Sequence, residues 1–270
     1  MVRAALGVFD SGVGGLTVAR SLREALPFED IIYLGDTARV PYGTKSQSTV
    51  IRYSRQTAGF LLGKGIKYLV VACNTASAQA LDALRQEMPV PVMGVVEPGA
   101  RLATEITQSG KVGVLGTWGT IRSEAYQRII HDHNPALEVF GKACPLFVPL
   151  VEEGWIDHPV TSQIINHYLT ELRTISGDLD TIVLGCTHYP LLKVILATEV
   201  RKVFGHPVHL IDSAQAVSAI VAEDMAERNL LNPPEERGTD LFYFTDDSQF
   251  ATIANRFFGT PLASIMHADL

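Results

Sequence analysis

Long apolar runs, a surplus of positive charge and paired cysteine motifs are all missing from this 270-residue sequence. No apolar stretch approaches the ~18 residues that a membrane-spanning helix requires, so a membrane protein is not expected. Lysine and arginine together number 22 against 29 aspartates and glutamates, a formal net charge of −7. Without a basic footprint, neither nucleic acid nor an anionic membrane is expected as a primary partner. The only cysteines are Cys73, Cys144 and Cys186, with no C-x-x-C spacing. That argues against a disulfide framework or a zinc finger and for reduced thiols. The chain runs from Met1 into a glycine motif with no signal-peptide cleavage pattern. A cytoplasmic protein is the expectation. Gly12, Gly14 and Thr17 give G-x-G-x-x-T, short of the dinucleotide fingerprint, and no G-x-x-x-x-G-K-[ST] string occurs. With no lysine in a Schiff-base context and no metal-ligand spacing, neither a cofactor nor a metal is expected.

What the chain does have is apolar mass and a regular alternation. At 47% hydrophobic residues it can bury the cores of two ordinary domains. Short valine- and isoleucine-rich runs alternate with helical spacings. The runs begin at Ala4, Ile31, Leu69, Val92, Lys111, Thr181, Val208 and Leu241. The helical stretches are 16–26, 46–64, 74–88, from about Glu97, 121–133, 161–175, up to Phe204, 213–228 with Ser213 as the cap, and 247–258. This pattern predicts an α/β protein with largely parallel sheets. Residues 35–43 read as a long loop, 116–120 as the counterpart of the aspartate loop that follows the first strand, and 232–238 as a surface linker.

The centre of the pattern is L-V-V-A-C-N-T-A-S-A at 69–78, a buried strand that stops at Cys73 and gives way to a helix. In open α/β sheets ligands bind at the carboxyl ends of strands, and the free N–H groups of the following helix suit carboxylates. A lone cysteine there would be an ordinary core residue. However, T-I-V-L-G-C-T-H-Y-P at 181–190 repeats the design around Cys186, and Gly7–Gly12 resembles Gly113–Trp118. The offsets, 106 positions for the glycine strands and 113 for the cysteines, are close enough to indicate two similar half-units. Facing each other, they would present two thiols to opposite sides of one bound molecule. That is the geometry of two-base proton transfer, one sulfur removing a proton from carbon while the other delivers one. An ordinary cysteine, with a pKa near ~8.5, is only slightly ionised at neutral pH and needs help from helix amino termini and neighbours. Asp10 and His188 stand at the corresponding strand ends. Glu152 and Glu153, just before Gly154, fit equally well as a solvated helix end.

The strings G-V-F-D-S-G-V-G-G-L-T, D-x-x-x-x-P-Y-G, A-C-N-T-A-S and G-C-T-H-Y-P, in that order across nearly the whole chain, resemble the bacterial glutamate racemases. The resemblance implies two pseudo-symmetric open parallel-sheet domains with the active site in the cleft between them. Residues 1–97 plus 209–270 would form the first and 98–208 the second. It implies cofactor-independent interconversion of L- and D-glutamate for peptidoglycan, in a homodimer. By the same resemblance Cys73 and Cys186 are the acid–base pair, assisted by Asp10 and His188, with Asp36 and Glu152 as further assisting groups. Substrate-binding positions would be Asp10, Ser11, Tyr42, Gly43, Asn74, Thr75, Thr117, Thr120, Thr187 and His188. Only nine residues precede Asp10, so the amino-terminal extension of muropeptide-activated members is not expected. Apart from Arg39 the motifs supply no arginine clamp, so substrate carboxylates would rest on backbone N–H groups, hydroxyls and the Asn74 amide. Alternatives left open are an aspartate racemase, a two-domain amino-acid binding protein and a thiol oxidoreductase. Cys144, beside Pro145, reads as a packed core thiol.

Overall fold

A computed structural model describes residues 3–246 and 250–270. Its elements run in the order β1 Ala5–Asp10, α1 Leu16–Ala25, β2 Ile31–Gly35, α2 Gln47–Gly63, β3 Ile66–Val71, α3 Asn74–Glu87, β4 Val92–Gly94 and α4 Val96–Ile106. There follow β5 Lys111–Gly116, α5 Trp118–Arg122, α6 Ala125–His133, β6 Glu138–Ala143, α7 Phe147–Glu152, α8 Pro159–Ile175, β7 Thr181–Gly185, α9 Lys193–Phe204 and β8 His209–Asp212. The chain closes with α10 Ser213–Glu227, β9 Asp240–Phe244, α11 Phe250–Phe258 and β10 Ile265–His267.

Two all-parallel sheets result. One is six-stranded in the order β10-β9-β2-β1-β3-β4 and the other four-stranded in the order β6-β5-β7-β8. Within them β2-β1-β3-β4 and β6-β5-β7-β8 are the same arrangement, so the repeat seen in the sequence is a repeat of topology. In each, the strand order reverses beside the first strand, at β1/β3 and at β5/β7. Such a reversal opens a crevice at the carboxyl ends of the two strands. The central strands are buried on both faces, as parallel strands covered by helices must be.

Several local expectations are revised. Strands β6 and β10 are additions. β6 carries Gly141 and Lys142 in half-buried positions, and β10 is three residues long; both are edge strands without an apolar run. The 35–43 loop contains two short 3₁₀ turns, Thr37–Arg39 and Tyr42–Thr44. Thr117 caps α5, whose N–H at Thr120 donates to its hydroxyl, and the stretch 121–133 is broken at Glu124, which has φ 54°. The cap of α10 is Asp212, accepting from Ala214 N at 2.9 Å. Ser213 is buried instead, donating to Leu184 O at 3.2 Å. Residues 209–212, grouped by sequence with the first half, pair with β7 in the second sheet. The start of the closing helix at Asp247 lies outside the described residues.

The return of the chain to the first sheet is pinned by a buried ion pair. Lys67 Nζ lies 2.6 Å from Glu29 Oε2 and 2.7 Å from Asn232 Oδ1, while Asn232 N donates to the same carboxylate. Removing the cation would strand a carboxylate that has almost no contact with solvent, and that is far worse than removing both charges. Lys67→Met should therefore lower the unfolding free energy by about 3 kcal/mol, and Glu29→Gln in the same chain should restore much of it. Urea denaturation of the three proteins checks this, and equal stability of Lys67→Met and the parent would contradict it.

Candidate active site

β1 and β3 end side by side, and their last residues feed two turns. After β1, Asp10 is buried, and its Oδ2 accepts from Gly12 N at 2.9 Å while Oδ1 has no partner among the described residues. The Gly12 carbonyl in turn accepts from Tyr33 OH at 2.7 Å, which fixes the loop from below. After β3, Cys73 has extended backbone and caps α3 with its sulfur, accepting from Ala76 N at 3.5 Å. The thiol donates toward Ser11 Oγ, also at 3.5 Å. Burial, and next the negative charge of Asp10, push the Cys73 thiol up to about 12. Burial likewise raises Asp10, against the opposing pull of His188 and backbone N–H groups.

The second crevice repeats the plan with different chemistry. Thr117 follows β5 and Cys186 follows β7. The Cys186 sulfur lies 4.0 Å from His188 Nδ1, and His188 Nε2 lies 3.0 Å from Glu152 Oε1 at the end of α7. Burial alone would depress His188, but the Cys186 sulfur and the Glu152 carboxylate outweigh it and hold the imidazole at about 10. A positive ring at neutral pH therefore sits between a sulfur and a carboxylate.

The two crevices face one cavity of about 390 Å³. Of the residues expected from sequence, Ser11, Tyr42, Gly43, Cys73, Asn74, Thr75, Thr117, Glu152, Cys186, Thr187 and His188 line it. Asp10, Asp36 and Thr120 do not. Asp10 lies beneath the Cys73 side, and Thr120 stands behind the wall, its hydroxyl 3.1 Å from Thr117 and 3.3 Å from Thr75. Asp36 is fully buried and spoken for: Arg39 Nε donates to both of its oxygens, Thr245 Oγ1 to Oδ1 at 3.1 Å, and the Tyr42 hydroxyl to Oδ2. It supports the Tyr42 loop and reaches the cavity only through it. Arg39 gives its Nε to Asp36 and its Nη1 to Gln56 and is not among the residues lining the cavity. Cys144 is buried away from the cavity, in the core around Phe147 and Tyr189. Val40, Pro41, Trp118, Pro145, Val148 and Pro149, none of them expected as a site residue, supply an apolar wall. Among the described residues no lysine or arginine lines the cavity.

The halves are joined by small, close contacts. Thr75 and Thr117 hydroxyls meet at 2.9 Å, Gln79 Nε2 donates to Gly119 O at 2.9 Å, and Asn74 Nδ2 donates to Tyr126 OH at 3.0 Å. On the other flank Thr17 Oγ1 donates to Thr187 O at 3.2 Å. Gly14 packs there with no room for a side chain: a Cβ would lie 2.2 Å from Thr187 Oγ1 and 2.4 Å from His188 Nδ1.

A parallel-sheet pair with a cysteine at each of two matching strand ends, both opening on one cavity, defines a class. The chain belongs to the Asp/Glu/Hydantoin racemase family, which it matches over residues 7–221, and it is an isomerase. Within that family it is similar to proteins described as glutamate racemases. The one from Geobacter metallireducens is 52% identical over 98% of this chain and 97% of its own. The crystal structure of a glutamate racemase isoform from Bacillus anthracis superposes with a TM-score of 0.92 at 38% identity, covering 100% of this chain and 99% of that one. The glutamate racemase from Francisella tularensis, solved in complex with D-glutamate, gives 0.91 at 36% identity, covering 100% of this chain and 98% of its own.

The Gly14 contact yields a prediction. Gly14→Ala should fold but push Thr187 and His188 off the seam. A displacement of about 1 Å in a catalytic group costs on the order of a hundredfold in rate, so racemase activity should fall by about that factor with little loss of thermal stability. Wild-type turnover in Gly14→Ala would mean the seam does not set the site.

Proposed function

We propose that the protein interconverts L- and D-glutamate by two-base proton transfer at the α-carbon, with Cys73 and Cys186 as the two acid–base groups, and so supplies D-glutamate for peptidoglycan. The observation that carries this reading is the pair of equivalent strand-end thiols on one cavity, unlike in electrostatic setting. On one side burial and the Asp10 charge favour the protonated thiol of Cys73. On the other, the Cys186 sulfur lies 4.0 Å from Nδ1 of His188, an imidazole held positive by that sulfur and by Glu152. One thiol and one thiolate are what a single turnover needs.

In one direction the Cys186 thiolate removes the α-proton and Cys73 donates its own to the opposite face, inverting the carbon. Cys73 is then a thiolate and Cys186 a thiol, which is the starting state for the other enantiomer. The carbanion-like centre gains most if its α-carboxylate is bound by donors at the moment charge develops. Backbone N–H groups at the start of α3 and after Cys186, with the hydroxyls of Ser11, Thr75, Thr117 and Thr187, supply them. Asn74 Oδ1 on the cavity and Asp10 Oδ1 beneath it, buried acceptors without a partner among the described residues, suit a substrate ammonium. Asp10 is additionally able to take the Cys73 proton, because burial raises its carboxyl. The apolar wall from α7 and Trp118 keeps water from the carbanion. The two sheets, with residues 209–212 counted in the second, form the two walls that close on the substrate.

The enzyme should racemise glutamate with no added cofactor, as chiral chromatography will show. Cys73→Ala and Cys186→Ala should each lose at least about a thousandfold in turnover, the range expected for an essential acid–base group. Cys144→Ala should keep most of it. An active Cys186→Ala protein or an inactive Cys144→Ala protein that still folds would overturn the assignment.

A further inference from the structure

Two consecutive residues of α11 reach across the seam to the histidine side of the site. α11 follows the first sheet's β9 and packs against α1, yet its Arg256 Nη1 donates to Val151 O at 2.9 Å and to Glu152 O at 3.2 Å. Those are last-turn carbonyls of α7, the kind of group a helix end leaves short of donors. The next residue, Phe257, is buried and sets its ring edge-on to the His188 imidazole, with centroids 4.9 Å apart and planes at 74°. The chain makes room for the arginine at Gly154. Its φ of +79° suits glycine, and a Cβ there would lie 2.8 Å from Arg256 Nη2.

α7 has only six residues, and the Glu152 side chain is 35% exposed. A helix that short holds its end poorly without outside contacts. The Glu152–His188 bond at 3.0 Å therefore depends on something holding the end of α7, and the contacts of Arg256 are aimed at that point. The imidazole has a second requirement. Its plane must keep Nδ1 toward Cys186 while Nε2 faces Glu152, and the Phe257 edge limits its rotation. The titratable groups around His188 are Cys186 and Glu152, with Asp10 near enough to feel its charge.

We propose that Arg256 and Phe257 are positioning residues for the Glu152–His188–Cys186 chain, through which the C-terminal helix of one half sets the reactivity of the sulfur carried by the other. The proposal rests on Cys186 being one of the two acid–base groups. It makes α11 part of the catalytic apparatus without contact to substrate, and it leaves the Cys73 side untouched.

The test uses the full chain with Arg256→Gln, Arg256→Lys and Phe257→Leu. Arg256 is itself exposed, so truncating it leaves the core intact. Turnover is measured in both directions, and alkylation of each cysteine by iodoacetamide at neutral pH is followed by peptide mass spectrometry. Arg256→Gln should lower kcat by about tenfold, as a small misplacement does, with KM nearly unchanged. It should slow alkylation of Cys186 several-fold while Cys73 reacts as in the parent. Arg256→Lys, which keeps a donor, should recover most of both, and Phe257→Leu should move the same two readouts in the same direction. Parental kcat and Cys186 reactivity in Arg256→Gln would overturn the proposal. So would equal changes at both cysteines with a lowered melting temperature, since that marks a general structural role. The alkylation arm does not need glutamate to be the substrate, so a parent protein inactive on glutamate would sink the functional reading while the positioning claim is still decided by the thiols.

Discussion

Cys73 and Cys186 are 6% and 7% exposed, and a sulfur so far from water carries negative charge only if something nearby compensates it. Much of the site follows from that constraint. Cys73 stands where a parallel strand meets a helix, so the Ala76 N–H is the first source of compensation there, whereas Cys186 leads into a 3₁₀ turn, Tyr189–Leu192. The second source differs between the halves. Beside Cys186 there is a histidine held positive by a glutamate, and beside Cys73 there is an aspartate, whose charge opposes a thiolate. The two positions are equivalent in topology, and their charged neighbours are unlike.

The same constraint explains why the halves meet so closely. A thiolate and a thiol serve one carbon only if both crevices stay in register, and the seam is built from groups with no slack. Gly14 lies against Thr187 and His188, Thr75 against Thr117, and Gln79 against the Gly119 carbonyl. α11 adds a tie on the far side, from Arg256 to the end of α7. Rigid contacts of this kind hold reacting atoms near their attack distance, which is worth several kcal/mol of barrier.

Much of this is legible in the amino-acid sequence. The two strand-turn-helix strings and their nearly equal offsets point to a repeated α/β unit and to the two cysteines that share the cavity, because buried parallel strands write themselves as unbroken apolar runs. Edge strands do not, and β6 and β10 escaped for that reason. The position of 209–212 was lost because a short strand after a long helix carries no mark of which sheet it joins. Asp36 shows the limit for polar residues: D-x-x-x-x-P-Y-G places it near the site, but only the fold reveals that Arg39, Tyr42 and Thr245 consume it. The apolar wall of Pro145, Val148 and Pro149, and the reach of Arg256, come from segments with no motif at all. Their roles arise from where the chain returns.

The two-thiol account is tested most directly by following hydrogen at the α-carbon. A cysteine that has taken the substrate's proton holds that hydrogen alone and returns it only to the face it came from, while the opposing sulfur, already exchanged with solvent, delivers to the other face. In D₂O at low conversion, starting from either enantiomer, the product should carry deuterium at Cα and the recovered substrate almost none. NMR or mass analysis of the separated enantiomers reads this out, and deuterium appearing equally in substrate and product would contradict two opposed bases.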